Sequence, residues 1–232
     1  MRAHVIIDGF DTASIPHCIL TDFDEGDCLS PVFTTNTVYG MNGTRREVES
    51  YDESQQTLTF HLRSFEQAAL LVEKFEGLNK MIEFWHIPNS FYYYDCLSAS
   101  IKASQMNSWT VSVKMALHPF RYLKNVGSMT LTANGTITNP GSIFSEPRIE
   151  VYGNGQTSLT IGEQIMRINL DTKAVIECRH GFQNIFDKNG AIKNSIRQSG
   201  PFFEIPAKKA SGVVLGAGIS RVIITPRWRN KV

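Results

Sequence analysis

The sequence predicts a mainly β protein of the β-rich α+β class, and three observations carry that expectation. Apolar and polar residues alternate with period two in several stretches. Turn dipeptides separate those stretches, and only one segment has helical periodicity. With 232 residues, 42% hydrophobic and 19% charged, the chain can bury one large core or two small ones. It is too apolar for a disordered chain.

The helix comes first. Ser64 and Gln67 have capping-box spacing, the Ser64 hydroxyl accepting from the Gln67 amide and Gln67 reaching back. Phe65, Ala68, Val72 and Phe75 recur at three- and four-residue spacing with Leu71 and Leu78 beside them. Glu66, Glu73, Lys74 and Glu76 fall largely opposite, and Gly77 supplies a stop, which predicts a helix over 64–77. Strands follow at Met81 to Ile87 and Phe91 to Cys96, joined at Pro88 to Ser90. Next comes Trp109 to Leu117, where Trp109, Val111, Val113, Met115 and Leu117 alternate with Thr110, Ser112, Lys114 and Ala116. The same alternation marks Ile149 and Val151, Leu159 and Ile161, and Met166, Ile168 and Leu170. Asn-Gly dipeptides at Asn42, Asn134, Asn154 and Asn189 predict turns, because both residues tolerate positive φ.

From Gly127 onward short strands separated by frequent turns predict a β-sandwich. The expected division is an N-terminal domain over 1–126, a β-sandwich with one helix, and a C-terminal β-sandwich over 127–232. The last strand is free to return to the first domain. Charge changes sign at the same place. Residues 1–125 carry 10 basic and 15 acidic groups, a net of −5, and residues 126–232 carry 13 and 7, a net of +6. The total of +1 argues against a dedicated nucleic-acid binder, which needs surplus cations for phosphates. Met1 to Phe10 shows no signal-peptide pattern, and no apolar run is long enough for a membrane span. Cys18, Cys28, Cys96 and Cys178 form no Cys-x-x-Cys pair and are expected to be buried free thiols.

No constellation points to catalysis, and no catalytic, metal or cofactor residue is predicted. The six histidines show no metal-binding spacing. Asp22, Asp24, Glu25 and Asp27 place Phe33 where a calcium loop needs its bidentate Glu, so a solvated acidic loop is expected. Gly153 to Gly155 and Gly216 to Gly218 lack the remainder of any phosphate-binding loop and read as turns. A nucleophile elbow is absent. The run Phe91 to Tyr94 puts aromatic rings on both faces of a strand. Tyr92 and Tyr94 are therefore candidates for a subunit interface; the alternatives are a strand covered by its own domain and a sugar-stacking platform.

Several of these stretches together resemble the distal tail (Dit) proteins of siphophages and their prophages. The likeness lies in the glycine turn Val38 to Thr44, the strand-helix-strand passage Leu58 to Trp85, and Trp109 to Tyr122 closing in His118 to Tyr122. It continues in Asn139 to Gly153, with its Asn-x-Gly turn followed by Pro147 and an alternating strand, and in Val222 to Arg229. The resemblance implies a structural, non-enzymatic protein at the virion tail tip, made in the bacterial host cytoplasm. It implies a homohexameric ring built from the N-terminal domains and a galectin-like C-terminal sandwich. The implied partners are the tail tube protein, the tail-associated fibre or lysin protein and, through them, receptor-binding proteins; DNA passes through the channel without specific binding. The chain has no room for inserted carbohydrate modules. The rival reading is a carbohydrate-binding module or adhesin acting through the C-terminal sandwich. Residues 128–220 hold no Trp and only Phe144, Tyr152, Phe182, Phe186, Phe202 and Phe203 as aromatics, which is thin for sugar stacking.

Overall fold

The computed structural model describes residues 3–23, 30–37, 39–40, 42–105 and 107–231. They divide into two compact units, Met1–Arg121 with Lys231–Val232, and Tyr122–Asn230. Asp24, Glu25 and Asp27 of the acidic cluster, Cys28, and Val38 and Met41 of the glycine turn lie outside the described residues; Asp22 is in a strand.

The first unit contains β1 (Val5–Ile7), β2 (Phe10–Asp11), β3 (Ile19–Phe23), β4 (Ser30–Asn36), β5 (Arg45–Asp52), β6 (Ser54–Leu62), α1 (Phe65–Phe75), β7 (Lys80–Phe84), β8 (Ser90–Gln105) and β9 (Ser108–Leu117). Its main sheet runs β2-β1-β7-β8-β9-β6-β3, while β4 and β5 form a separate two-stranded sheet. The alternation in β9 works as read. Val111, Val113 and Met115 are inaccessible and share a core with Leu58, Phe60 and Leu62 of β6.

The helix lays Ala68, Leu71 and Phe75 into that core, against β6, β8 and β9. Burying the two larger side chains stabilises by roughly 1.5–3 kcal/mol each. At its start Ser64 Oγ accepts from Gln67 N at 3.2 Å, but the reciprocal half of the capping box is not made. Gln67 Oε1 is buried without a partner. The Glu66 carboxyl accepts from its own backbone N–H and from the Ser64 hydroxyl, which hold it below the usual carboxylate range. At the other end Gly77 has φ +133°, a conformation glycine tolerates. The Lys80 ammonium donates to the carbonyls of Lys74 and Glu76, placing a cation on the negative pole of the helix.

The strand β10 (Phe120–Leu123) leads into the second unit, which holds β11 (Met129–Leu131), β12 (Gly135–Thr138), β13 (Arg148–Ile161), β14 (Gln164–Glu177), β15 (Asn184–Phe186), β16 (Arg197–Ser199), β17 (Ala210–Leu215) and β18 (Ile219–Thr225). The chain closes with β19 (Arg229–Lys231). β13 and β14 pair along their whole length, and each changes its other neighbour half-way. The first half of β13 pairs β18 and its last residues pair β17; the start of β14 pairs β16 and its end pairs β15. One hydrogen-bonded sheet thus provides two halves, β11-β18-β13-β14-β15 and β12-β17-β13-β14-β16. Ile149, Val151, Val222 and Ile224 of the first half and Leu159, Ile161, Met166 and Val213 of the second fill a common core.

The change of neighbours occurs at a bulge between Tyr152 and Gly153, beside Gly155 at φ +79° and Thr172 at φ +69°. Asn154-Gly155 therefore marks the break in a long hairpin and not a hairpin turn, correcting one sequence expectation. The turn itself is Gly162-Glu163, with Gly162 at φ +61°. A Cβ on Gly153 would lie 2.1 Å from Gly218 O. Gly153→Ala is expected to destabilise the second unit by at least about 2 kcal/mol, read from urea unfolding; an unchanged midpoint would contradict the close approach.

Candidate interaction surfaces

In β8 Tyr94 is fully buried and Tyr92 nearly so. Tyr94 Oη donates to Phe75 O at 3.0 Å, satisfying a carbonyl at the helix end, and its ring meets Phe75 edge-on at 6.2 Å. Burial, with Cys96 and Asp8 adding to it, pushes its phenol well above the usual tyrosine range. Tyr92 meets Phe84 edge-on at 5.9 Å. Both rings are consumed by their own core and leave no surface for a partner, which corrects the interface expectation for Tyr92 and Tyr94. The period-two reading of the strand holds: Phe91 and Tyr93, on the other face, meet edge-on at 5.5 Å.

Exposed apolar residues of the first unit lie elsewhere, two of them facing each other on one hairpin. β4 and β5 pair only with each other, and Phe33 sits opposite Val48 with both rather exposed, 46% and 49%. Tyr51 is the anchor at the base of this hairpin. Its ring meets Phe120 at 5.6 Å and lies under the Lys231 ammonium at 4.7 Å. An isolated two-stranded hairpin is marginal in water, and an exposed Phe–Val pair gains by being covered. The sequence marks a turn at Asn42 but not the strands it joins, because Arg45 to Asp52 carries one apolar aliphatic residue, Val48, among charges.

In the second unit charge is organised around the opening and closing segments. Asn139 is fully buried; its Nδ2 donates to Ile143 O and Ile205 O at 2.9 and 3.0 Å, and its Oδ1 accepts from Gly141 N at 2.8 Å. Gly141 approaches Arg229 O so closely that a Cβ would lie 2.3 Å from it. Arg229, also buried, donates to Phe144 O and to Glu146 Oε1, both at 2.8 Å. Arg227 forks onto both oxygens of Glu177 at 2.6 and 2.7 Å. His180 lies between Glu146, at 3.4 Å, and Glu204, at 3.1 Å. Burial alone would raise the Glu177 carboxyl, but Arg227 and the Arg179 backbone N–H outweigh it and hold the group below its usual range.

Aromatic rings of this unit are paired with cations. Arg229 lies over Phe144 at 4.7 Å, Arg221 over Tyr152 at 4.1 Å, Arg179 over Phe182 at 4.6 Å and Arg197 over Phe202 at 4.8 Å, while Phe203 is fully buried. Such pairing takes ring faces that a stacking lectin would offer to sugar. Among the described residues no three His, Cys, Asp or Glu side chains gather as a metal set, and no helix is long and apolar enough to cross a membrane. Cys18 and Cys178 are buried free thiols and Cys96 is half-buried; burial, against a backbone hydrogen bond from Phe203, pushes Cys178 up to about 12.

No protein-family model matches the chain, and no curated protein does. Among solved structures it is similar over 97% of its length to the SPP1 Dit protein, described as a paradigm of the hub adsorption apparatus in phages infecting Gram-positive bacteria. The TM-score is 0.70 at 14% identity, with 98% of that protein covered. The chain has the Dit fold. A chain of the phage p2 baseplate, in its activated conformation with Sr, is similar over 97% of this chain and 98% of its own, with TM-score 0.57 at 8% identity. Two of the segments that carried the resemblance, Asn139 to Gly153 and Val222 to Arg229, are those the Dit-like second unit locks together through Asn139, Gly141, Glu146 and Arg229.

Tyr94→Phe should cost about 1–2 kcal/mol by denaturant titration while leaving the oligomeric state unchanged; a changed assembly with unchanged stability would restore an interface role. Arg227→Ala should cost about 1.5–3 kcal/mol at pH 7. Glu177's stabilisation is complete above the unfolded carboxyl pKa of about 4.3 and is lost as pH falls through the depressed folded value. The gap between variant and parent is therefore expected to narrow below about pH 4. A gap independent of pH would show that Arg227 acts through packing alone.

Proposed function

We propose that this chain is the structural hub at the distal end of a non-contractile phage tail, a homohexameric ring joining the tail tube to the adsorption proteins at the tip. The observation that carries the reading is the end-to-end likeness to the SPP1 Dit hub protein, which spans both units and leaves almost no residue of either chain over. Its appearance in a second tail-tip assembly, the p2 baseplate, points the same way.

A ring subunit needs surface that is better covered than wet, and the β4–β5 hairpin supplies it through Phe33 and Val48. In the proposed ring this hairpin packs against the next copy, a heterologous contact that closes by rotation. The first unit supplies the ring contacts, and its net charge of −5 over residues 1–125 suits a conduit through which DNA must slide without sticking. The tail tube protein meets one ring face and the tail-associated fibre or lysin protein the other. No chemical step is required of such a part, and the chain acts as a non-enzymatic connector.

Light scattering on the purified protein, with negative-stain images of the same sample, is expected to give six-fold rings of 26.0 kDa subunits. Phe33→Ser combined with Val48→Ser should release monomers whose main cores melt as in the parent. Rings that survive the double substitution would remove the hairpin from the contact. A parent that stays monomeric at every concentration, with and without its tail neighbours, would contradict the ring.

A further inference from the structure

The outer face of the second unit carries a polar groove of about 650 Å³ lined by Gln156, Thr157, Ser158, Arg167, Gln198 and Ser199, with Ile168 and Ala217 completing it. Its floor follows from register. Ser158 of β13 is opposite Arg167 of β14, and Arg167 is opposite Ser199 of β16, so the three side chains form one cross-strand row. Their neighbours Leu159 and Met166 are buried in the core, which places the row on the outward face. Gly216 closes one side, its N–H donating to Ser158 O at 2.9 Å. A Cβ there would lie 2.5 Å from that oxygen, so the wall can stand this close only as glycine.

We propose that this groove binds a small polyhydroxylated anion, a sugar or polyol carrying one carboxylate or phosphate. The lining holds no acidic side chain, and Arg167 makes no ion pair among the described residues. Its neighbour Arg197 is engaged, donating to Gly200 O at 3.0 Å and covering Phe202. A free guanidinium presents a fork of donors matched to a carboxylate or phosphate. Around it stand the groups that read hydroxyls. Gln156 offers an amide, Ser158 and Ser199 offer hydroxyls, and Gln198 keeps an amide oxygen while its nitrogen donates to Ser195 O at 2.9 Å.

The same inventory disfavours other ligands. A neutral glycan held by stacking needs a bare ring, and the lining has none. Single-stranded nucleic acid needs a basic track with aromatic platforms, and here there is one arginine. A second concavity, lined by Asp171, Asp187, Lys173, Lys188 and Lys193, is internally compensated: Asp171 pairs with Lys188 at 3.0 Å and Lys173 is held by Glu150 at 2.8 Å. The proposal does not depend on the hub reading.

The test is saturation-transfer NMR and calorimetry on the full-length protein with glucuronate and glycerol 3-phosphate, with glucose and inorganic phosphate as comparisons. Saturable binding of at least one anionic polyol is expected, and which of the two binds tells carboxylate from phosphate recognition. Arg167→Gln should weaken it about tenfold or more without moving the melting temperature, since the side chain is exposed. Gln198→Glu, which brings a carboxylate to the rim, should weaken it as well through repulsion. The proposal is overturned by no saturable binding of either polyol anion, by glucose or inorganic phosphate binding as tightly, or by Arg167→Gln binding like the parent.

Discussion

The guanidinium of Arg229 is almost inaccessible to solvent, and its charge is balanced by Glu146, which is equally buried. A buried ion pair of this kind is weak evidence of net stability, but removing one member strands the other charge and costs about 3–5 kcal/mol. The two residues stand 83 positions apart, one near the opening of the second unit and one at its close. Around them Asn139 ties Gly141, Ile143 and Ile205, and Gly141 stands where only a hydrogen fits against Arg229 O. The cluster ties residues near the start of the second unit to residues near its end.

With its ends pinned, the second unit builds two half-sheets from one long hairpin that exchanges neighbours at Tyr152 and Gly153. That arrangement puts both halves around one core. The first unit solves a different problem. Its one helix is held at both poles, by Ser64 and Glu66 at the start and by Lys80 and Tyr94 at the end, so that Leu71 and Phe75 stay seated on the sheet. Phe33 and Val48 of the β4–β5 hairpin are among the apolar residues the unit leaves exposed, and in the proposed hub that hairpin meets the next subunit. The outward polar groove belongs to the second unit, so the proposed ring contact and the proposed ligand site draw on different residues.

Much of this was legible in the sequence, for reasons that can be named. Helix α1 combines a cap, a continuous apolar stripe and a glycine stop, three local signals that agree. Strands β9, β13 and β14 bury one face, so their alternation is strong. Local signals failed where the outcome depends on distant residues. Asn154-Gly155 has turn chemistry, but Gly218 and Thr172 hold it within a strand. Tyr92 and Tyr94 share the composition of an interface strand, and only the helix end above Tyr94 shows that they are core. The network of Arg227, Arg229, Glu146, Glu177 and His180 gathers residues far apart in the chain, and the groove around Arg167 needs the register of three strands. The segments Asn139 to Gly153 and Val222 to Arg229, which carry the resemblance to Dit proteins, are the ones joined through Asn139, Gly141, Glu146 and Arg229.

The central claim is a place in a particle, and the most direct measurement is gold-labelled antibody, or a cryo-electron reconstruction, on phage particles from cells that express the gene. The account predicts label, or density fitting both units, confined to the distal end of the tail in a single ring. Label on the capsid or along the tube, or intact particles from which the protein is absent, would contradict it.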